Sequence, residues 1–238
     1  ICVMKNRIIL FLSFVFIMGF SSCTVGVRPS QSLSISNANP HTADWAHTER
    51  YASLRDTLSK HPKVVFYGDS ITEGWIDDEF FKSVDGIPMG VSGMTTCQLL
   101  CRFRVDVINL RPKYVAIMCG TNDIAQNIGP IELETAVGNI VSMCELAKYN
   151  GIEPLVCSVT PCSGYAWRPD LGNPTEKIRA FNALLKQYCD EAGVQYVDYY
   201  GALDSGDGSL APENTRDKCH LTMKAYKILE SVITPYLK

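Results

Sequence analysis

Histidine is scarce in this chain: there are four in 238 residues, and beyond His61 there is only His220. No Cys-x-x-C pair occurs, so a zinc site of the finger or ribbon type has no spacing to rest on. Neither Gly-x-Gly-x-x-Gly nor Gly-Lys-Ser/Thr follows the first strand-like run, which removes dinucleotide and P-loop sites and leaves no motif asking for a cofactor. An excess of one charge is missing too. With 22 basic and 25 acidic side chains the formal charge is -3, which gives nucleic acid no electrostatic footprint. The apolar run from Ile8 to Phe20 has 13 residues, short of the ~20 that a membrane-spanning helix needs.

That run is instead the middle of an export signal. Met4-Lys5-Asn6-Arg7 supplies a basic start and Ser21-Ser22-Cys23 a small-residue close, so residues 1–23 are expected to be a signal peptide. Phe20-Ser21-Ser22-Cys23 resembles a bacterial lipoprotein box, in which the cysteine is lipidated and becomes the first mature residue; the alternative is a plain secretory signal. The expectation is export to the periplasm or cell surface, with membrane contact only through Cys23. Residues 24–43 are rich in Ser, Asn, Pro and Thr and read as a flexible tether, leaving residues 44–238 as the folded domain. Eight cysteines follow the leader. In an exported protein they raise the question of disulfides, with Cys157 and Cys162 able to pair across a loop. Cys119, Cys144 and Cys157 lie inside apolar or helical patterns, however, where a small buried hydrophobe is the simpler reading.

From Asp44 the chain alternates. An amphipathic helix is expected over Asp44–Lys60, with Trp45, Leu54 and Leu58 inward. Strand-like runs follow at Val64–Tyr67, Ile87–Gly90, Tyr114–Cys119, Pro154–Ser158 and Val194–Val197. Between and after them lie helical periods at Thr95–Val107, Ile131–Tyr149, Glu176–Ala192 and Thr222–Tyr236. Asn173-Pro174-Thr175-Glu176 predicts a helix start in which Glu176 reaches back to the cap. Alternation of this kind implies crossover connections and a parallel sheet with helices on both faces. Ligands of such sheets bind beyond the carboxyl ends of the strands.

Polar clusters sit at those ends: Gly68-Asp69-Ser70, Val91-Ser92-Gly93-Met94-Thr95, Gly120-Thr121-Asn122-Asp123 and, after the last strand, Asp217-Lys218-Cys219-His220. Such a set suits acyl transfer. A serine hydroxyl becomes nucleophilic when an imidazole takes its proton, and the imidazole needs a carboxylate to hold its tautomer. Asp217 and His220, three apart, would share a face on a helical turn, although Asp207 and Glu213 are neighbouring carboxylates. The N–H groups of Ser70 and Gly93 and the Asn122 amide are suitable donors for the oxyanion. Asp69 and Asp123 are expected to bond local backbone.

These four blocks, in this order, resemble the SGNH (GDSL-type) esterases and lipases. Arg102-Phe103-Arg104-x-Asp106 and Trp167-Arg168-Pro169 are most similar to the branch of platelet-activating-factor acetylhydrolase subunits. The resemblance implies an α/β, flavodoxin-like three-layer αβα sandwich with a five-stranded parallel sheet, and a metal-free serine hydrolase. It makes Ser70, Asp217 and His220 the catalytic residues and Ser70, Gly93 and Asn122 the oxyanion hole. Many exported bacterial members of that branch deacetylate sugars, so the expected substrate is an acylated small molecule or carbohydrate. Trp75, Tyr165, Trp167 and Arg168 are candidate substrate contacts. The chain departs from the family where Lys218-Cys219 replaces a frequent Gly-Val and Leu221 a frequent Pro. An α/β-hydrolase elbow is excluded because Thr72 stands where Gly-x-Ser-x-Gly needs glycine. Two alternatives stay open: a lysophospholipase or thioesterase with the same triad, and a non-catalytic glycan-binding surface lipoprotein.

Overall fold

The computed structural model describes residues 44–58 and 60–238. The expected signal peptide, Cys23 and the tether lie outside them. After α1 (Ala52–Thr57) the order is β1 (Val64–Gly68), α2 (Ser70–Glu73), α3 (Asp78–Ser83), β2 (Gly86–Gly90), α4 (Thr96–Asp106), β3 (Tyr114–Met118), α5 (Thr121–Ile124) and α6 (Leu133–Tyr149). Then come β4 (Glu153–Cys157), α7 (Thr175–Ala192), β5 (Gln195–Val197), α8 (Tyr199–Leu203) and α9 (Met223–Ile233). The five strands pair in parallel in the order β2-β1-β3-β4-β5.

Strand periodicity divides the core into two layers. Val65, Tyr67, Val115, Ile117 and Val156 point to one face, where Leu99 and Phe103 of α4, Ile140 and Met143 of α6, and Ile178 and Phe181 of α7 cover them. Val64, Phe66, Ala116, Leu155 and Val197 point to the other, under Phe80 and Phe81 of α3, Leu203 of α8, and Tyr226 and Leu229 of α9. Each such large side chain, when fully buried, stabilises the fold by roughly 1.5–3 kcal/mol. The expected three layers are therefore present, and β1 and β3, neighbours in the sheet, mark the point where the strand order reverses. Loops leaving two adjacent strands toward opposite faces open a crevice between them.

Three local expectations are corrected. The helix expected over Asp44–Lys60 is a single short helix, Ala52–Thr57, preceded by turns. His47 has a left-handed φ of 52°, and the Asp44 carboxylate accepts from Thr48 Oγ1 at 3.0 Å and Glu49 N at 3.1 Å, a side-chain arrangement that competes with helix. Trp45 and Leu54 are consequently exposed rather than inward. At the start of α7, Asn173 Oδ1 accepts from Thr175 N at 2.9 Å as expected. Glu176, however, pairs with Arg179 at 2.9 Å instead of reaching back to the cap.

Candidate active site

β1 ends on Gly68, whose place against β3 admits no side chain: a Cβ there would lie 2.2 Å from the Met118 carbonyl oxygen. The chain can then turn at once. Asp69 caps α2, its Oδ1 accepting from Ile71 N at 3.0 Å, and Ser70 is the first helical residue. Ser70 Oγ lies 3.0 Å from His220 Nε2. On the far side of the ring, His220 Nδ1 lies 2.6 Å from Asp217 Oδ2. Asp217 Oδ1 accepts from the backbone N–H of His220 at 2.7 Å and of Cys219 at 3.1 Å. Burial alone would raise the Asp217 carboxyl, but the His220 and Cys219 donors outweigh it and hold the group below its ordinary value.

Asp217, not its two neighbours, thus faces the imidazole. Asp207 is engaged by Ser205 and Ser209, and Glu213 pairs with Lys224 at 3.3 Å. The dyad is not on a helical turn, as its spacing suggested, but on an irregular loop closed by a single antiparallel bridge between Thr215 and Leu221. Lys218 makes that loop possible by adopting φ 76°.

The donors for an oxyanion come from two other loops. After β2 the chain turns through Gly93 at φ 78°, a left-handed value that favours glycine. Among the described residues, the N–H groups of Ser70 and Gly93 donate to no protein acceptor. Asn122, on α5 directly after β3, is 2% exposed. Its Nδ2 donates to Met94 O at 3.0 Å, and its Oδ1 accepts from Asn127 Nδ2 at 2.8 Å, which leaves one amide hydrogen free. Asp123 reaches beyond its own loop: it accepts from Thr96 N at 2.9 Å and Thr96 Oγ1 at 2.7 Å. It thereby ties the start of α4 to the loop after β3. The arrangement can pass a hydroxyl proton to an imidazole and meet developing negative charge with N–H groups.

The four expected substrate contacts separate. Trp75 is 2% exposed and packed on Phe80 and Tyr226 at ring-centroid distances of 5.3 and 5.5 Å; Gly74 ends α2 and the chain folds the indole into the core. Arg168 is a clamp, its guanidinium donating to the carbonyls of Ala125 and Gln126 and pairing with Asp170. Tyr165 is buried beneath Trp167, with centroids 5.0 Å apart. It forms part of the wall of a groove of about 810 Å³ that borders Asp217 and Lys218. Trp167 alone of the four exposes a broad face beside the imidazole, 5.6 Å from the His220 ring centroid.

Three features escaped sequence reasoning. Burial pushes Asp69 up to about 7, although the Ile71 N–H and the nearby His220 work against it. The cysteines from Cys97 onward are free, in keeping with the buried-hydrophobe reading, but Cys162 neighbours Cys219 of the dyad loop rather than Cys157, its Sγ donating to Gly164 O at 3.4 Å. Asn127 joins Asn122, Gly93 and Trp167. Local sequence carries no signal for any of them, since each depends on which loops the sheet brings together.

Comparison with known proteins gives the family and likeness of fold. Residues 66–228 match the GDSL-like Lipase/Acylhydrolase family. The structure is similar to that of a GDSL-like lipase from Bacteroides thetaiotaomicron VPI-5482, with 39% identity, a TM-score of 0.78, and coverage of 81% of this chain and 97% of that one. Platelet-activating factor acetylhydrolase IB subunit alpha1 of Rattus norvegicus is 27% identical over 182 residues, 73% of this chain and 74% of that protein. An uncharacterized lipoprotein of Bacillus subtilis (strain 168) is 30% identical over 117 residues, 41% of this chain; the match spans about half that lipoprotein's length, 48%.

Proposed function

The chain belongs to the GDSL-like lipase/acylhydrolase family, and from that premise we propose that it is a serine esterase removing short acyl groups, chiefly acetyl, from carbohydrate. Ser70 is the nucleophile, His220 the general base and Asp217 the carboxylate that orients and charges the imidazole. One observation carries the reading: an unbroken path from Ser70 Oγ through both ring nitrogens of His220 to Asp217, with steps of 3.0 and 2.6 Å. His220 Nε2 takes the hydroxyl proton as Ser70 Oγ bonds to the ester carbonyl carbon. The oxyanion settles against the N–H groups of Ser70 and Gly93 and the free hydrogen of Asn122 Nδ2. Collapse of this intermediate expels the alcohol, which receives the proton from His220, and water repeats the sequence on the acyl-serine. The exposed face of Trp167 supports a sugar as the alcohol part, because an aromatic plane suits the apolar side of a pyranose ring. The leader and the similarity to a lipoprotein support export with a lipid anchor at Cys23.

A fluorophosphonate probe and a series of nitrophenyl esters of graded length test this. The parent protein should be labelled covalently and should hydrolyse the acetyl ester fastest. Ser70→Ala should abolish labelling and lower turnover by at least ~10³-fold. An unlabelled parent protein would make the cleft a binding site, and turnover that climbs with acyl length would assign a lysophospholipid or thioester instead.

A further inference from the structure

Asn122 donates usefully to an oxyanion only if its amide nitrogen, not its oxygen, faces the reacting carbonyl. The two ends of an asparagine amide are nearly the same in shape, so hydrogen-bond partners decide between them. The partner of Asn122 Oδ1 is Asn127 Nδ2 at 2.8 Å, and Asn127 has the same ambiguity. That second ambiguity is removed by Trp167, whose Nε1 lies 2.9 Å from Asn127 Oδ1. An indole N–H is a donor and nothing else. Asn127 must therefore turn its oxygen to Trp167 and its nitrogen inward, where it meets Asn122 Oδ1 and also Gly93 O at 3.2 Å. With its oxygen so held, Asn122 presents nitrogen to Met94 O at 3.0 Å and to the cleft.

We infer that Asn127 is a positioning residue for acyl transfer: with Trp167 it forms a one-way relay that fixes the polarity of the Asn122 amide and the peptide that follows Gly93. Water, at once donor and acceptor, can fill the place of Asn127 without setting that polarity. The relay also reaches across the cleft, since the Trp167 ring packs on that of His220, so the donor side and the base side of the site are in contact through one side chain. The inference rests on the proposed oxyanion role of Asn122.

The test measures kcat and KM for 4-nitrophenyl acetate in Asn127→Asp, Asn127→Ala and Trp167→Phe, each alone and in an Asn122→Ala background. Asn122→Ala alone should cost about 10²-fold or more in kcat. Asn127→Asp keeps the bond from Trp167 but faces Asn122 with an acceptor, which favours the flipped amide. It should lower kcat about 10- to 50-fold with KM within about twofold. Asn127→Ala should cost about 5- to 20-fold, and Trp167→Phe, which keeps a ring over His220, about 2- to 5-fold. In the Asn122→Ala background each loss should shrink to about threefold or less, because the relay no longer has an amide to orient. Asn127 is exposed at the rim of the cleft, so the variants should melt within a few degrees of the parent; if Asn127→Ala does not fold, Asn127→Asp and Trp167→Phe carry the same comparison. Equal losses in both backgrounds, or Asn127 variants matching the parent while Asn122→Ala is crippled, overturn the relay alone. An Asn122→Ala protein as active as the parent overturns the oxyanion assignment and the relay with it.

Discussion

Lys218 holds a left-handed backbone, φ 76°, between the carboxylate and the imidazole, at a place where the family often carries glycine. A Cβ in that region costs roughly 1–2 kcal/mol, against which glycine loses more chain entropy on folding. Lys218→Gly should therefore raise stability by about 0.5–1 kcal/mol in urea unfolding, and turnover should stay within about twofold because the exposed ammonium takes no part in the Ser70–His220–Asp217 path. Asp69 is the opposite case, a motif residue whose environment the sequence hid. Its carboxyl, 1% exposed, titrates at about 7 in the fold against 3.8 as a reference. Between those values the folded protein holds a proton that the unfolded chain has lost, so stability falls as pH rises from about 4 to about 7. Above that window the full cost of burying the charge is present, and below it none is. Asp69→Asn keeps an acceptor for Ile71 N while removing the charge. In unfolding measured from pH 4 to pH 8 it should flatten this slope and leave the variant about 2–4 kcal/mol more stable, relative to parent, at pH 8 than at pH 4. A parent protein whose stability rises steadily across that window would contradict the burial argument.

At the level of elements, the sequence was most legible where one period repeats. The five strand-like runs coincide with β1 to β5 to within a residue or two, and the helical stretches ending at Val107, Tyr149 and Ala192 became α4, α6 and α7. It misled where apolar spacing imitated a helix but local side chains favoured turns, as at Asp44 and His47. It misplaced Trp75 at the cleft, since a short turn after a strand can send the next residue to the cleft or the core, and here it goes to the core. The Gly-Asp-Ser motif looks different once the elements are in place. Gly68 is required by β3 as much as by the turn, because its missing side chain lets Met118 O approach. Gly68→Ala must push β1 from β3 at their carboxyl ends, the two strands that carry Ser70 and Asn122. The contact is with backbone, which has little room to yield, so the variant should lose about 2 kcal/mol or more in urea unfolding. Its labelling by the fluorophosphonate probe should slow even where it stays folded. Gly68→Ala with parental stability would show that the strand ends separate freely.

Across the whole molecule, Gly68-Asp69-Ser70, Gly93, Asn122 and Asp217–His220 were readable as one site because a parallel sheet gathers its strand ends on one edge. Asn127 was not, being defined by contacts among three loops. Nor was the way residues 44–57 are fastened to the domain. Gln98 Nε2 donates to Trp45 O at 2.9 Å and Arg102 to Ala46 O at 3.3 Å, while Arg50 pairs with Glu73 at 2.7 Å. Beneath this segment Arg55 and Arg102 meet at the fully buried Asp106, at 2.9 and 2.5 Å. One nitrogen of Arg102, Nη2, is buried with no partner among the described residues. A buried ion pair of this kind has a sharp asymmetry: breaking it strands a charge, whereas replacing the whole of it with apolar groups removes the desolvation cost as well. Asp106→Leu should accordingly cost about 3–5 kcal/mol and loosen residues 44–57, read as faster amide exchange there. Arg102→Met combined with Asp106→Leu should recover most of that loss, since Arg55, part-exposed, can turn to water. Recovery in urea unfolding would mean that the pair fixes where the segment docks more than it holds the domain together. A double variant as unstable as Asp106→Leu would give the ion pair a net stabilising role that its unpartnered guanidinium nitrogen argues against.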